Sequence, residues 1–180
     1  MRTIIPGLLA LAIALAAAPA AADDATFIGA GAGQVRPHFD SDDSTDFDPD
    51  NDRETSFHVR VGVREGHQRL YGQWDLASAS DFLLTFLTVN LDYRYPASGR
   101  WAVLAGGSAG ALSLSWDHDN ARDTAATLGA HVGVLFALTR ELELEFQARQ
   151  MVSHIRTEPS GVDVDLRRYG SATVSLNLAF

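Results

Sequence analysis

Residues 141–152 read ELELEFQARQMV. Leu142, Leu144, Phe146 and Ala148 fall on one side of an extended chain, and Glu143, Glu145, Gln147 and Arg149 on the other. A period of two is the signature of a β-strand with one apolar and one polar face. Residues 169–180 repeat it, with Tyr169, Ser171, Thr173, Ser175 and Asn177 set against Ala172, Val174, Leu176, Leu178 and Phe180. The alternation runs to the last residue with no polar tail behind it.

The same reading, carried outward, finds eight segments in all. In 56–64, Phe57, Val59, Val61 and Val63 oppose His58, Arg60, Gly62 and Arg64; in 69–77, Leu70, Trp74 and Leu76 alternate with Arg69, Tyr71, Gln73 and Asp75. In 82–95, Leu87, Val89, Leu91, Tyr93 and Tyr95 oppose Thr88, Asn90, Asp92 and Arg94. In 124–138, Leu128, Ala130, Val132, Val134, Phe136 and Leu138 oppose Thr127, Gly129, His131 and Gly133. The first segment, 26–36, and the fifth, 100–116, are rich in Gly and Ala on both sides, so their facing is undecided.

Connections alternate in length. Short turns are expected near 65–68, 96–99 and 139–140, and long polar loops after the first, fifth and seventh strands; the connection after the third is an exception, nearly as short as a turn. Long loops on one rim and short turns on the other describe an up-and-down transmembrane barrel. Two further features point the same way. The strands run to a dozen or more residues, enough to cross hydrocarbon at a tilt. Aromatics such as Tyr93, Tyr95, Trp101, Trp116 and Phe180 sit near strand ends, where membrane interfaces collect them. The rival architecture is a soluble periplasmic barrel or sandwich with the apolar faces turned inward around a ligand.

The first residues, MRTIIPGLLALAIALAAAPAAADD, have one Arg, an apolar stretch and small residues before Asp23. This is the layout of a signal peptide, so residues 1–22 are expected to be removed and 23–180 to form one domain. A membrane-spanning helix fits less well, because the apolar run is short and Pro6 interrupts its start. The chain has no cysteine, so an exported fold here forms without disulfides. Every basic residue is Arg, and the formal net charge is −9, which argues against nucleic acid as a partner.

The final strand, with its terminal Phe180 and apolar Val174, Leu176 and Leu178 at alternate positions behind Tyr169, resembles the assembly signal of Gram-negative outer-membrane barrels. With the Gly-rich first strand and the 137–149 turn-and-strand, the mature chain resembles the small eight-stranded barrels of the OmpA, OmpX and OmpW type. The expected fold is therefore all-β: an eight-stranded antiparallel up-and-down transmembrane β-barrel after a cleaved signal peptide, monomeric, in the outer membrane. The resemblance implies the lipid bilayer and lipopolysaccharide as surroundings and recognition of the last strand by the barrel-assembly machinery.

Inside such a barrel the polar faces would bring together His58, Arg60, Arg64, Arg69, Asp75, Asp92, Arg94, Glu143, Glu145 and Arg149, with Arg167 and Tyr169 beside them. Eight strands enclose a space that side chains just fill, so these charges must pair. We read them as a structural ion-pair network; a gated polar conduit is the functional alternative. Asp46, Asp48, Asp50 and Asp52 recur at every second position, close to the opening of a calcium loop, with Asn51 where Gly belongs. The pattern then fails: twelve positions from Asp46 falls Phe57 instead of a bidentate Glu. A solvated acidic loop is the first reading, and a weak calcium or magnesium site the second; no other cofactor is expected.

No strand places His and Ser two apart at mid-length, Ser153 and His154 are adjacent, and the histidines do not cluster as a zinc site. The expectation is a non-enzymatic barrel working through its surface loops in adhesion, ligand or cation contact, or envelope integrity. The alternatives are a narrow channel or carrier for small solutes and, behind it, a lipid-A-modifying hydrolase.

Overall fold

The computed structural model describes residues 24–41, 53–78, 82–116, 122–157 and 164–180. The expected signal peptide and the acidic run at Asp46, Asp48, Asp50 and Asp52 lie outside the described residues. Eight strands follow one another: β1 (Asp24–Ser41), β2 (Glu54–Glu65), β3 (Gln68–Ser78), β4 (Phe82–Ser98), β5 (Trp101–Trp116), β6 (Arg122–Ala137), β7 (Leu142–Thr157) and β8 (Val164–Ala179). Each pairs antiparallel with its neighbour in sequence, and β8 pairs with β1 to close the barrel. Closure leaves no unpaired edge, as a β-structure immersed in lipid requires.

The ladder fixes the geometry. Followed once around from Ile28 through Val61, Gly72, Val89, Ala109, Leu128, Val152 and Arg168, it returns to β1 at His38, displaced by ten residues. With eight strands and that stagger, the strands tilt by about 40° from the barrel axis. A strand of 16 residues, such as β8, then spans roughly 40 Å along the axis, more than the ~25 Å apolar band of such barrels.

Two of the short connections are two-residue hairpins that open with a glycine at φ 54°, Gly66 and Gly99. That is the left-handed conformation which primed turns require and which glycine adopts without strain. The third, between β6 and β7, is tied by the Leu138 and Thr139 N–H groups donating to the Leu142 carbonyl.

The apolar faces point outward. Phe57, Val59, Leu91, Leu128, Val132, Val174, Leu176 and Leu178 are all exposed, as are Ile28 and Phe146. This is opposite to a soluble ligand-binding barrel. The first and fifth strands, undecided in sequence, are decided by the ladder: Phe27 and Val35 face inward on β1, and Ala102, Leu104, Ser108, Leu112 and Leu114 on β5.

Pairing also reaches further than the hydrophobic pattern. β1 continues to Ser41, β6 begins at Arg122 and β7 continues to Thr157, within stretches expected to be loop. These stretches carry no sustained alternation of apolar and polar residues, so periodicity does not mark them as strand.

Candidate functional site: the interior and mouths of the barrel

The interior is layered along the axis. At the end carrying the β1–β2, β3–β4, β5–β6 and β7–β8 connections it is apolar: Val35, Ala77, Leu84, Phe86, Leu112, Leu114, Met151, Leu166 and Tyr169 form one buried cluster. The Phe86 and Tyr169 rings lie 4.4 Å apart at its centre. The polar lumen expected from sequence is therefore only the other part of the barrel. Of these, only Tyr169 is expected inside from the sequence, because the others carry no charge or polar group to mark the inward face; on β4 the parity of Leu84 and Phe86 with Thr88 and Asn90 is the signal that places them there.

Below the cluster lies a charged network. Glu145 on β7 is its hub: Arg60 Nη1 donates to Oε1 at 2.7 Å, and Arg69 Nη1 and Asn177 Nδ2 donate to Oε2 at 2.9 and 3.0 Å. Arg69 Nη2 reaches across to Asp92 Oδ2 at 2.5 Å, and the other Asp92 oxygen meets His131 Nε2. His131 Nδ1 and Ser108 Oγ are 3.0 Å apart, and Ser108 donates to Asn90 Oδ1 at 2.6 Å. Arg60, Arg69, Asp92, His131 and Glu145 are fully or almost fully buried. Both guanidiniums also flank the Tyr71 ring, at 5.6 and 5.4 Å from its centroid.

Glycines make room for this network. A Cβ at Gly106 would stand 2.6 Å from Asp92 Oδ1 and 2.7 Å from His131 Nε2, and one at Gly29 would collide with the Asn177 side chain. The Gly content of β1 and β5 is thus the counterpart of the large side chains opposite.

Most of the remaining sequence-predicted charges form two smaller groups. Arg149 lies 3.6 Å from Asp75 Oδ2 and donates to Gln73 and Gln147, while Gln73 Nε2 donates to Asp75 Oδ1 at 2.7 Å. At the short-turn mouth, Glu143 Oε1 accepts from Arg64 Nη1 at 3.1 Å and forms an ion pair with Arg94 Nη1 at 3.2 Å. His58 Nε2 lies 2.8 Å from Ser175 Oγ. Arg167, expected inside, is exposed. The ladder skips it, passing from Arg168 to Leu166 on both neighbouring strands, and this bulge reverses the alternation so that Leu166 points inward instead. Tyr169 faces the interior, whereas Val174, Leu176, Leu178 and Phe180 are exposed on the outer wall.

Ser108, His131 and Asp92 form a serine–histidine–carboxylate chain that sequence reasoning missed, because it joins β5, β6 and β4 and was sought along single strands. Its parts are buried and committed elsewhere, Asp92 to Arg69 and Ser108 to Asn90. A nucleophile needs a reacting group beside it. Ser108 is buried and its hydroxyl meets Asn90 and His131, while His131 in turn holds the Asp92 carboxylate that accepts from Arg69.

Trp101 and Phe136, with ring centroids 4.6 Å apart, and Tyr93 and Tyr95, 4.5 Å apart, form an aromatic girdle at the short-turn end. Among the described residues no cluster of His, Asp and Glu has the form of a metal site.

The comparisons agree with this architecture. Neisserial surface protein A superposes with a TM-score of 0.68 at 16% identity, over 86% of this chain and 97% of that one. Ail, the attachment invasion locus protein of Yersinia pestis, gives 0.53 at 13% identity over 88% and 99%, and the N-terminal barrel of Pseudomonas aeruginosa OprF gives 0.52 at 10% over 86% and 97%. At these identities the likeness is one of fold. No curated protein matches the chain in sequence. The family described as outer membrane protein beta-barrel domain matches residues 7–180, and the chain belongs to that family.

Proposed function

We propose that this protein is a closed, non-enzymatic barrel of the Gram-negative outer membrane that acts at the cell surface, through the connections at its long-loop end, in adhesion, ligand contact or envelope integrity. The observation that carries this reading is the double filling of the interior. A solute crossing the barrel would have to displace both the apolar cluster around Leu84, Leu112 and Leu114 and the ion pairs around Glu145, in which every named side chain is fully or almost fully buried. Expected partners are the bilayer, lipopolysaccharide and, during biogenesis, the barrel-assembly machinery reading the last strand; the protein is expected to act as a monomer.

Lipopolysaccharide fits a particular stretch of wall. The outward row of β8 is apolar from Phe180 through Leu178, Leu176, Val174, Ala172 and Gly170, then reaches Arg168, roughly 30 Å further along the axis. Arg36 on β1 pairs with Gly170, diagonally across the seam from Arg168, and both are exposed, as is Arg167. Guanidiniums where the apolar band ends suit the phosphates of the outer leaflet. Ail has been solved with a heparin analogue, sucrose octasulfate. Here the run from Asp42 to Asp52 is acidic, so a polyanion would be repelled there and an anionic lipid is the better match, at the arginines.

Planar-bilayer recording of residues 23–180 tests the closed state. No steady conductance steps are expected; steps abolished by Arg60→Gln or Glu143→Gln would instead establish a channel. Lipid A from cells with and without the protein should give the same mass spectrum, and a changed spectrum would make it an enzyme.

A further inference from the structure

We propose that the cleft at the short-turn mouth of the barrel is a binding site for a phosphate ester. It is a half-open space of about 230 Å³ between the β2–β3 turn at Gly66 and His67 and the β4–β5 turn at Gly99 and Arg100, with Ala137 on a third side. Arg94, Arg100 and His67 line it, and among the described residues no carboxylate does. Behind Arg94 the charges do not balance. Arg64 and Arg94 share the single oxygen Glu143 Oε1, and their side chains remain 21% and 22% exposed. With Arg100 exposed on the opposite wall, the cleft itself presents two guanidiniums and a histidine. Of the other acids on this rim, Glu65 is exposed at the end of β2, Glu141 is exposed beside Arg140, and Asp24 begins β1 opposite Glu65; none is among the described residues that line the cleft.

The site is built on fixed backbone. The Arg94 N–H donates to the His67 carbonyl at 2.7 Å, and the Ala137 N–H donates to the Arg100 carbonyl at 2.9 Å, so each turn is tied to a neighbouring strand. Guanidiniums recognise phosphate oxygens through paired N–H groups. Trp101 forms the lip of the cleft and belongs to the aromatic girdle through its contact with Phe136. Girdle aromatics sit at headgroup depth, so the cleft opens where lipid phosphates lie as well as toward the aqueous compartment. The phosphate ester can therefore come from an inner-leaflet phospholipid or from a soluble periplasmic metabolite. This site is at the opposite rim from the surface loops and does not depend on their function.

The test uses the mature barrel folded in maltoside micelles, which contain no phosphate. Glycerol phosphate is titrated in solution, and phosphatidylglycerol is titrated into the micelle, while the indole N–H resonance of Trp101 and the amides of Gly66 and Gly99 are followed. Saturable shifts are expected, weakened about fivefold by Arg100→Gln and unchanged by Arg140→Gln, which removes a charge from the same rim outside the cleft. Shifts with the lipid alone identify a headgroup site, and shifts with glycerol phosphate alone a soluble ligand; either supports the proposal. No saturable shift with either probe, no effect of Arg100→Gln, or equal weakening by both variants overturns it. Arg100 is exposed and makes no described side-chain contact within the barrel, so its variant retains the fold.

Discussion

Arg69 Nη1 on β3 donates to Glu145 Oε2 on β7 at 2.9 Å, joining opposite walls of the barrel through side chains 76 positions apart in the chain. Glu145 also accepts from Arg60 and Asn177, so one carboxylate holds three strands besides its own. Replacing it leaves two guanidiniums buried without their shared anion. Glu145→Ala should lower unfolding stability by about 3–5 kcal/mol, measured by urea titration of the barrel folded into lipid vesicles. Substituting Arg60, Arg69 and Glu145 together with apolar residues of similar volume should recover most of that loss. A triple variant no more stable than Glu145→Ala would show that the charges hold the barrel's shape beyond their own pairing.

The apolar cluster makes a separate prediction about permeability. Leu84 and Leu112 have no exposed surface, and truncating either to Ala should cost about 2–5 kcal/mol through the cavity it leaves. Neither Leu84→Ala nor Glu145→Ala alone should conduct in a planar bilayer, because the other layer remains in place. Conductance from either single variant would show that one layer seals the lumen by itself.

The contrast between β7 and β5 shows what was readable in the sequence. On β7, Leu and Glu alternate because lipid lies on one side and the charged interior on the other, so residue type alone assigns the facing. On β5 that contrast disappears. Leu104, Leu112 and Leu114 face inward while Ala105, Ala109 and Ala111 face lipid: Leu112 and Leu114 join the apolar cluster, Leu104 packs with Ala102 and Leu135, and Gly106 must be small beside Asp92 and His131. Arg167 failed for a different reason. Alternation counts residues, and a bulge adds one that only the ladder to β1 and β7 reveals. Ser108–His131–Asp92 was hidden because cross-strand neighbours depend on register, which periodicity does not supply.

The outer wall is tested by placing charge on it. Leu176 is outward and 49% exposed in the middle of the apolar row of β8. Leu176→Arg should destabilise the barrel in vesicles by about 2–4 kcal/mol, the cost of a cation at that depth, with a much smaller effect in aqueous detergent. A similar effect in both media would mean that Leu176 is not surrounded by lipid.

The acidic run outside the described residues is open to calorimetry. Asp46, Asp48, Asp50 and Asp52 supply the early ligand positions of a calcium loop, but no glutamate stands at the twelfth. A site without its bidentate ligand binds weakly, and the concentrated negative charge attracts any cation through screening alone. Titration of the folded barrel with calcium at millimolar levels is therefore expected to give no saturable heat, with calcium and magnesium behaving alike. Saturable heat for calcium over magnesium, abolished in the Asp46→Asn, Asp48→Asn double variant, would establish a built site on the first surface loop. In that case the loop would recognise partners through a bound divalent ion instead of through its bare carboxylates.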